Sequence, residues 1–272
     1  MFQIVNYMIL TGLALIAVFP VYYVLIVSIT PYIELVRNGG FIVLPRQITF
    51  QAYHDLIQDP KIIRALGNSI LITVSSTALG VMMSLMLAYG LSNKSMPGRN
   101  AILLILLITM IFHGGMIPQY MLVKALGLLN SYWALILSGT VSVFNVLIMK
   151  TFIENLPDNL EEAALIDGAT EAGYLFRIVL PLSTPIIATV GLFYAVTHWN
   201  AYFEAILYVS NTMKHPLQTV LREMLNVPDP AEFDGDIGML VPTEATKMAA
   251  VIISIIPVLV LYPFLQKYFT KG

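Results

Sequence analysis

Six long apolar stretches constrain this sequence more than any other feature. A transmembrane helix needs about 20 predominantly apolar residues, because each residue adds about 1.5 Å and the hydrocarbon core is about 30 Å thick. The stretches lie at about residues 4–29, 68–91, 101–121, 132–152, 184–208 and 248–269. The sequence therefore predicts an all-α, polytopic membrane protein, with six transmembrane helices in a single domain over residues 1–272.

The composition agrees with this prediction and excludes several functions. Hydrophobic residues make up 58% of the chain and charged residues 11%, whereas soluble domains carry about 45–50% apolar and about 25% charged residues. A net charge of -2 disfavours nucleic acid as a partner. The chain has no Cys and four scattered His without metal-ligand spacing. We therefore expect neither a metal site nor catalytic residues.

A polar stretch at residues 154–181 separates the fourth and fifth apolar stretches. Asp158 and Glu161 have the spacing of a capping box, which predicts the start of a short helix. Gly168 falls where that helix should end, a place that favours a left-handed residue. A second amphipathic helix is expected to follow. Pro181 should end it, because proline disfavours helical geometry in the residue before it.

One motif in this stretch resembles a known family. Glu162-Ala163-Ala164 is followed after three residues by Gly168, and Ile178-Val179-Leu180-Pro181 follows after nine more. This order and spacing is similar to the EAA signature of the permease subunits of binding-protein-dependent ABC importers. The surrounding sequence is most similar to the carbohydrate, maltose-type branch, and from Trp199 onward to permeases for complex oligosaccharides.

The resemblance implies that residues 154–181 form a cytoplasmic helix-turn-helix between spans four and five, which couples the permease to an ATPase subunit. Composition alone leaves open an interfacial connector that merely covers the bundle. The coupling residues that the resemblance implies are Glu161, Glu162, Ala163, Ala164, Leu165, Ile166, Asp167, Gly168 and Ala169.

Polar side chains inside apolar spans are costly, so they usually face a bundle interior or a water path. The fifth stretch carries most of them, and the fourth adds one. Carboxylates, amides and aromatic rings are also the groups that bind sugars. The candidates for a substrate path are Asn145, His198, Trp199, Asn200, Tyr202 and Glu204. Interfacial aromatic residues and contacts between helices remain the alternative interpretation.

The resemblance also implies the partners. They are a homologous second permease, two ATPase subunits that bind ATP and Mg²⁺, an extracytoplasmic binding protein, and a sugar or oligosaccharide substrate. The chain has no G-x-x-x-x-G-K-[ST] loop of its own, so we expect no cofactor in it. The implied location is the bacterial cytoplasmic (inner) membrane, with multiple spans in contact with lipid. An ion-coupled secondary transporter is the alternative, with Glu204 as its only well-placed carboxylate.

Overall fold

The computed structural model describes residues 2–157, 159–227 and 243–269, with the backbone alone at residues 161, 162, 165 and 261–269. Within these ranges the regular structure is entirely helical, which confirms the all-α prediction. The α-helices are α1 (Phe2–Ser28), α2 (Tyr32–Arg37), α3 (Gln51–Gln58), α4 (Pro60–Ser92), α5 (Arg99–Ile111), α6 (Met116–Ala125), α7 (Tyr132–Leu137), α8 (Val143–Glu154), α9 (Asn159–Ile166), α10 (Glu171–Tyr174), α11 (Leu180–Leu182), α12 (Thr184–Trp199), α13 (Phe203–Tyr208), α14 (Leu217–Leu225) and α15 (Glu244–Phe269). A π turn at Leu175–Val179 joins α10 to α11, and a 3-10 turn lies at Thr212–Lys214.

Among the described residues, two long helices and two bent helix pairs are candidates to cross a membrane. Helices α1 and α4, of 27 and 33 residues, are each long and apolar enough to cross a bilayer. Helices α5 and α6 form a pair bent by 115°, and Glu171–Leu182 forms one with α12 bent by 77°. Counting each pair as one span gives up to four spans by length and composition. The arrangement of six spans stays a prediction.

Two further apolar stretches contain helix breaks. The fourth stretch is interrupted between α7 and α8, where Gly139 has a φ of +75°. The fifth is interrupted between α12 and α13. Glycine reaches a positive φ without the steric cost that a side chain imposes, so it permits a sharp change of direction. Hydropathy alone does not register such breaks, because the residues around them are also apolar.

The prediction that the second helix of the 154–181 stretch ends at Pro181 was wrong. Leu180 is helical, with φ and ψ of -63° and -47°, and the helix continues to Leu182. A proline ring normally clashes with the carbonyl four residues earlier. The π turn at Leu175–Val179 lies in that preceding segment. Because its hydrogen bonds reach one residue further, it leaves room for the ring.

The described residues form two compact units, of which the first comprises those within 2–66, 217–227 and 243–259. Its core is an apolar cluster around Ile26, Val27 and Leu35, against which Met248 of α15 packs. The carboxylate of Glu34 accepts hydrogen bonds from two backbone amides of the segment that follows α2. These contacts fix the turn between α2 and α3.

The second unit comprises the described residues within 67–216 and 260–269. One buried cluster joins α4, α8, the π turn and α12 through Ala88, Met149, Val179, Val190 and Tyr194. A second cluster joins α4, α6, α7 and α13, and includes Ile72, Val123, Leu135 and Tyr208. The residues proposed from the sequence for coupling and for the substrate path all belong to this unit.

Tyr194 joins three segments of the second unit. Its hydroxyl lies 2.7 Å from Ser84 Oγ of α4 and accepts a hydrogen bond from the Ser142 backbone amide at 2.8 Å. Ser142 in turn caps α8 by accepting from the Asn145 amide. Gly80 lets α4 approach closely: a Cβ there would lie 2.9 Å from the Thr140 carbonyl oxygen and 3.0 Å from Tyr194 Cε1.

We predict that Gly80→Ala destabilises the protein, because the new methyl group has no room beside a backbone carbonyl. The expected cost is about 1–3 kcal/mol, the usual range for overpacking, visible as a lower Tm in detergent. Gly90→Ala in the same helix is the matched control, since a Cβ there meets nothing within 4 Å. Equal Tm values for the two variants would contradict the close approach.

Candidate functional site

Residues 154–181, for which the sequence predicts a coupling role and which are called the coupling stretch below, contain a short helix that ends as the sequence predicts. Helix α9 ends at Ile166, and Gly168 has a φ of +75°, which confirms the left-handed conformation expected there. The Ala169 amide donates to the Ala164 carbonyl at 2.9 Å, the bond that closes a Schellman motif. The predicted capping box lies outside the described residues, because neither Asp158 nor the Glu161 side chain is described.

The second helix of this stretch starts with its own cap. The Thr170 side chain accepts a hydrogen bond from the Gly173 amide at 3.2 Å. Glu171 stands in the first turn, where a negative charge is favoured by the helix dipole. The turn between α9 and α10 is therefore fixed on both sides by hydrogen bonds of the backbone and of one side chain.

The surface of this helix pair is exposed and partly apolar. Ile166 is 85% exposed at the end of α9, and Phe176 is also largely exposed. Ala163, Asp167 and Gly168 are exposed as well, whereas Ala164 is buried. Small residues beside one protruding apolar side chain suit close contact with another protein. The side chains of Glu161, Glu162 and Leu165 lie outside the description.

Three charged side chains anchor the start of the coupling stretch. Glu154, at the end of α8, pairs with Arg99 and with Lys150, the latter at 2.6 Å. Arg99 also donates from Nε to the Leu91 carbonyl at 2.8 Å. All three charged side chains are less than one-fifth exposed. The cluster thus ties the ends of α4 and α8 to the start of α5.

The charges around Glu154 determine its ionisation. Burial by itself raises the pKa of this carboxyl group, but hydrogen bonds and positive charge from Lys150 and Arg99 outweigh it, and the pKa is lowered. Glu154 lies beyond the fourth apolar stretch, at the start of residues 154–181. The carboxylate is therefore ionised at neutral pH and holds both cations in place.

A surface groove of about 660 Å³ lies next to this cluster. One wall is formed by the end of α4 and the turn that follows it, and the other includes Glu154, Pro157, Glu171 and Tyr174. The groove therefore separates the turn before α5 from the coupling stretch, on the side of the unit where α4 and α8 end.

A smaller cavity of about 140 Å³ lies at the break between α12 and α13. His198 and Glu204 both line it, so the structure brings two of the predicted path residues together. His198 is only 7% exposed, and its Nε2 has no hydrogen-bond partner within the described residues. Its ring stacks on that of Tyr194, with centroids 6.2 Å apart.

The other predicted path residues lie elsewhere. Asn200 closes the end of α12, since its side-chain amide donates to the Val196 carbonyl at 2.8 Å. Trp199 and Asn145 are buried, and Tyr202 is half-buried just before α13. None of these four lines the cavity.

Sequence reasoning missed two polar residues at the cavity. Gln119 of α6 and Ser138 of the break after α7 both line it, and the Gln119 amide donates to Ser138 Oγ at 3.2 Å. The Gly139 that follows Ser138 was the available signal, because an isolated glycine in an apolar stretch marks a possible break.

Taken together, long apolar helices, helix breaks beside a cavity that contains a few polar side chains, and an exposed helix pair define the class of multi-pass membrane permeases. The chain belongs to the family of binding-protein-dependent transport system inner membrane components, whose model matches residues 99–272.

Relatives and solved structures extend the similarity to the whole chain. The polygalacturonan/rhamnogalacturonan transport system permease protein YtcP of Bacillus subtilis is 42% identical, with 100% of this chain and 96% of the relative covered. Protein LplC of the same organism is also 42% identical, covering 100% and 92%. A chain from the crystal structure of a bacterial ABC transporter involved in the import of the acidic polysaccharide alginate has a TM-score of 0.90 and 32% identity, covering 98% and 96%.

We predict that Glu154→Gln destabilises the protein by about 1–3 kcal/mol, because it leaves two largely buried cations without their counter-charge. The measurement is thermal unfolding at neutral pH. Because the pKa of Glu154 is lowered in the folded state, the carboxylate stabilises above its unfolded-state pKa, and this contribution disappears as the pH falls through the folded-state value.

Glu223→Gln is the matched control for this prediction. Glu223 pairs with Lys61 at 3.1 Å, but both side chains are at least 41% exposed. Exposed pairs contribute about 0–1 kcal/mol, so this variant should unfold near the wild-type Tm. A Glu154→Gln variant as stable as Glu223→Gln would show that the cluster does not anchor the coupling stretch.

Proposed function

We propose that this chain is the permease subunit of an ATP-driven importer of oligosaccharides, and that residues 154–181 couple it to a separate ATPase. The observation that carries the proposal is the 42% identity, over 100% of this chain, with a polygalacturonan/rhamnogalacturonan permease. The exposed helix pair around Gly168 supports it, because none of the described residues of this chain covers Ile166 or Gly168.

The proposed complex has the composition of the importer class. A homologous second permease forms the translocation path with this chain, and two ATPase subunits bind ATP and Mg²⁺ on the cytoplasmic side. An extracytoplasmic binding protein delivers the oligosaccharide. The location is the bacterial cytoplasmic membrane, with six spans at the stretches given above. The chain itself performs no covalent chemistry.

The coupling step follows from how the helix pair is attached. Helix α8 leads directly into it, and the Glu154 cluster joins α8 to the end of α4 and the start of α5. A displacement of α9 by the ATPase is therefore passed to three helices at once. In this proposal, that displacement drives a rigid-body change of the permease between inward-open and outward-open states.

The substrate path runs, in this proposal, beside the break between α12 and α13. His198 and Glu204 contribute polar groups there. Trp199, Asn200, Tyr202 and Asn145 position these segments through burial and helix capping. An ion-coupled secondary transporter would use Glu204 differently, as a carboxylate that exchanges ions, and would not require ATP.

We predict that Gly168→Val abolishes coupling without preventing insertion. A β-branched residue is strained at a φ of +75°, at a cost of roughly 1 kcal/mol or more, so the turn between α9 and α10 should change its path. The measurements are co-purification of the ATPase and the stimulation of ATP hydrolysis by loaded binding protein. Both should fall, while the amount of chain in the membrane stays normal.

Gly39→Val is the matched control, because Gly39 also has a positive φ, of +70°, with no atom within 4 Å of an added Cβ. It should leave ATPase stimulation intact. Glu162→Lys should act like Gly168→Val, since it places a cation near the start of α9. Wild-type coupling in both variants, or uptake by the isolated chain without ATP, would refute the proposed function.

A further inference from the structure

The cavity between α12 and α13 has the size and chemistry of a small binding site. Its volume of about 140 Å³ exceeds the ~30 Å³ that one water molecule occupies in the liquid. The half-buried Glu204 lines it, as does His198, whose Nε2 is enclosed by the protein and has no hydrogen-bond partner within the described residues. Gln119 also lines the cavity, so a carboxylate and an amide are the groups that a ligand could meet there.

The charge of the cavity limits what that ligand can be. Glu204 is the only acidic residue among the described lining residues, and no Lys or Arg lines the cavity there. A ligand carboxylate beside Glu204 would place two like charges in a poorly hydrated space, which is strongly disfavoured. Hydroxyl groups, in contrast, can donate to the Glu204 carboxylate and bond to the Gln119 amide.

Much of the cavity lining is apolar. Ile72 and Leu135 belong to one of the buried clusters of this unit, and Ala205 and Pro216 complete the surface. A pyranose ring has the matching character, with hydroxyl groups at its edge and C–H groups on its faces. A sugar ring placed here would meet hydrogen-bonding groups at Glu204 and Gln119 and apolar side chains at Ile72 and Leu135.

We propose that this cavity is a subsite for one neutral sugar unit and that it rejects a uronate carboxylate. The inference rests on the proposed function, because it names the part of the oligosaccharide that this chain contacts. Two of the similar proteins are named for transport of polygalacturonan/rhamnogalacturonan and of the acidic polysaccharide alginate. In contrast to an acidic sugar unit, the unit bound at this subsite is neutral. Glu204 is the residue that determines the discrimination.

The test uses the complex purified from the native membrane and two probes of equal ring size. Methyl α-D-galactopyranoside is neutral, and the corresponding methyl galacturonoside carries a carboxylate at neutral pH. Binding is measured by saturation-transfer NMR. We expect the neutral glycoside to bind the wild-type complex at least about tenfold more tightly. Glu204→Gln removes the charge with little change of shape and should bring the two affinities within about threefold of each other.

Two further variants test whether the result is specific to the cavity. Asp55→Asn removes an exposed carboxylate from α3 and should leave the ratio of affinities at its wild-type value. Gln119→Leu should weaken binding of the neutral glycoside without restoring the galacturonoside. Equal binding of both probes, an unchanged ratio in Glu204→Gln, or no binding of either probe would overturn the proposal. ATP-driven uptake by the same preparation tests the proposed function separately.

Discussion

Backbone groups that are freed where a helix breaks inside an apolar bundle need hydrogen-bond partners, because lipid supplies none. At the break between α7 and α8, the Ser142 amide donates to the Tyr194 hydroxyl, and the Ser142 side chain caps α8. At the end of α12, the Asn200 side-chain amide donates a hydrogen bond to the Val196 carbonyl. The Asn68 amide of α4 donates to the carbonyls of Met213 and His215. The interrupted helices of the second unit depend on these few side chains.

The same breaks create the part of the molecule on which the functional proposals rest. In a continuous helix the backbone groups bond to one another and the side chains pack along its whole length. The interruption between α12 and α13 instead leaves a cavity beside His198 and Glu204. Tyr194 connects this cavity to the start of α8, because its ring stacks on His198 and its hydroxyl accepts a hydrogen bond from the Ser142 amide. Helix α8 then ends in the Glu154 cluster.

Patterns local in the sequence were predictable, and contacts between distant residues were not. Apolar stretches indicated the helices, and the positive φ of Gly168 followed from its place after a short amphipathic helix. The partners of Glu154 are 55 residues away and four residues away, and only the fold brings the distant one near. Gln119 was missed for the same reason, whereas the break at Ser138 had a local signal in Gly139 that was not used. Pro181 was misjudged because the π turn before it removes the expected clash.

The π turn at Leu175–Val179 holds one more residue per turn than an α-helix would. In an α-helix each residue advances the direction of its side chain by about 100°. The extra residue therefore sets the rotational phase of everything that follows it before the bend at Ser183. A single-residue deletion within the π turn would rotate α11 about its own axis without changing the residues of α9 or α12. Variation in length at this turn is thus a way for related chains to change the direction of one helix while the neighbouring helices keep their residues.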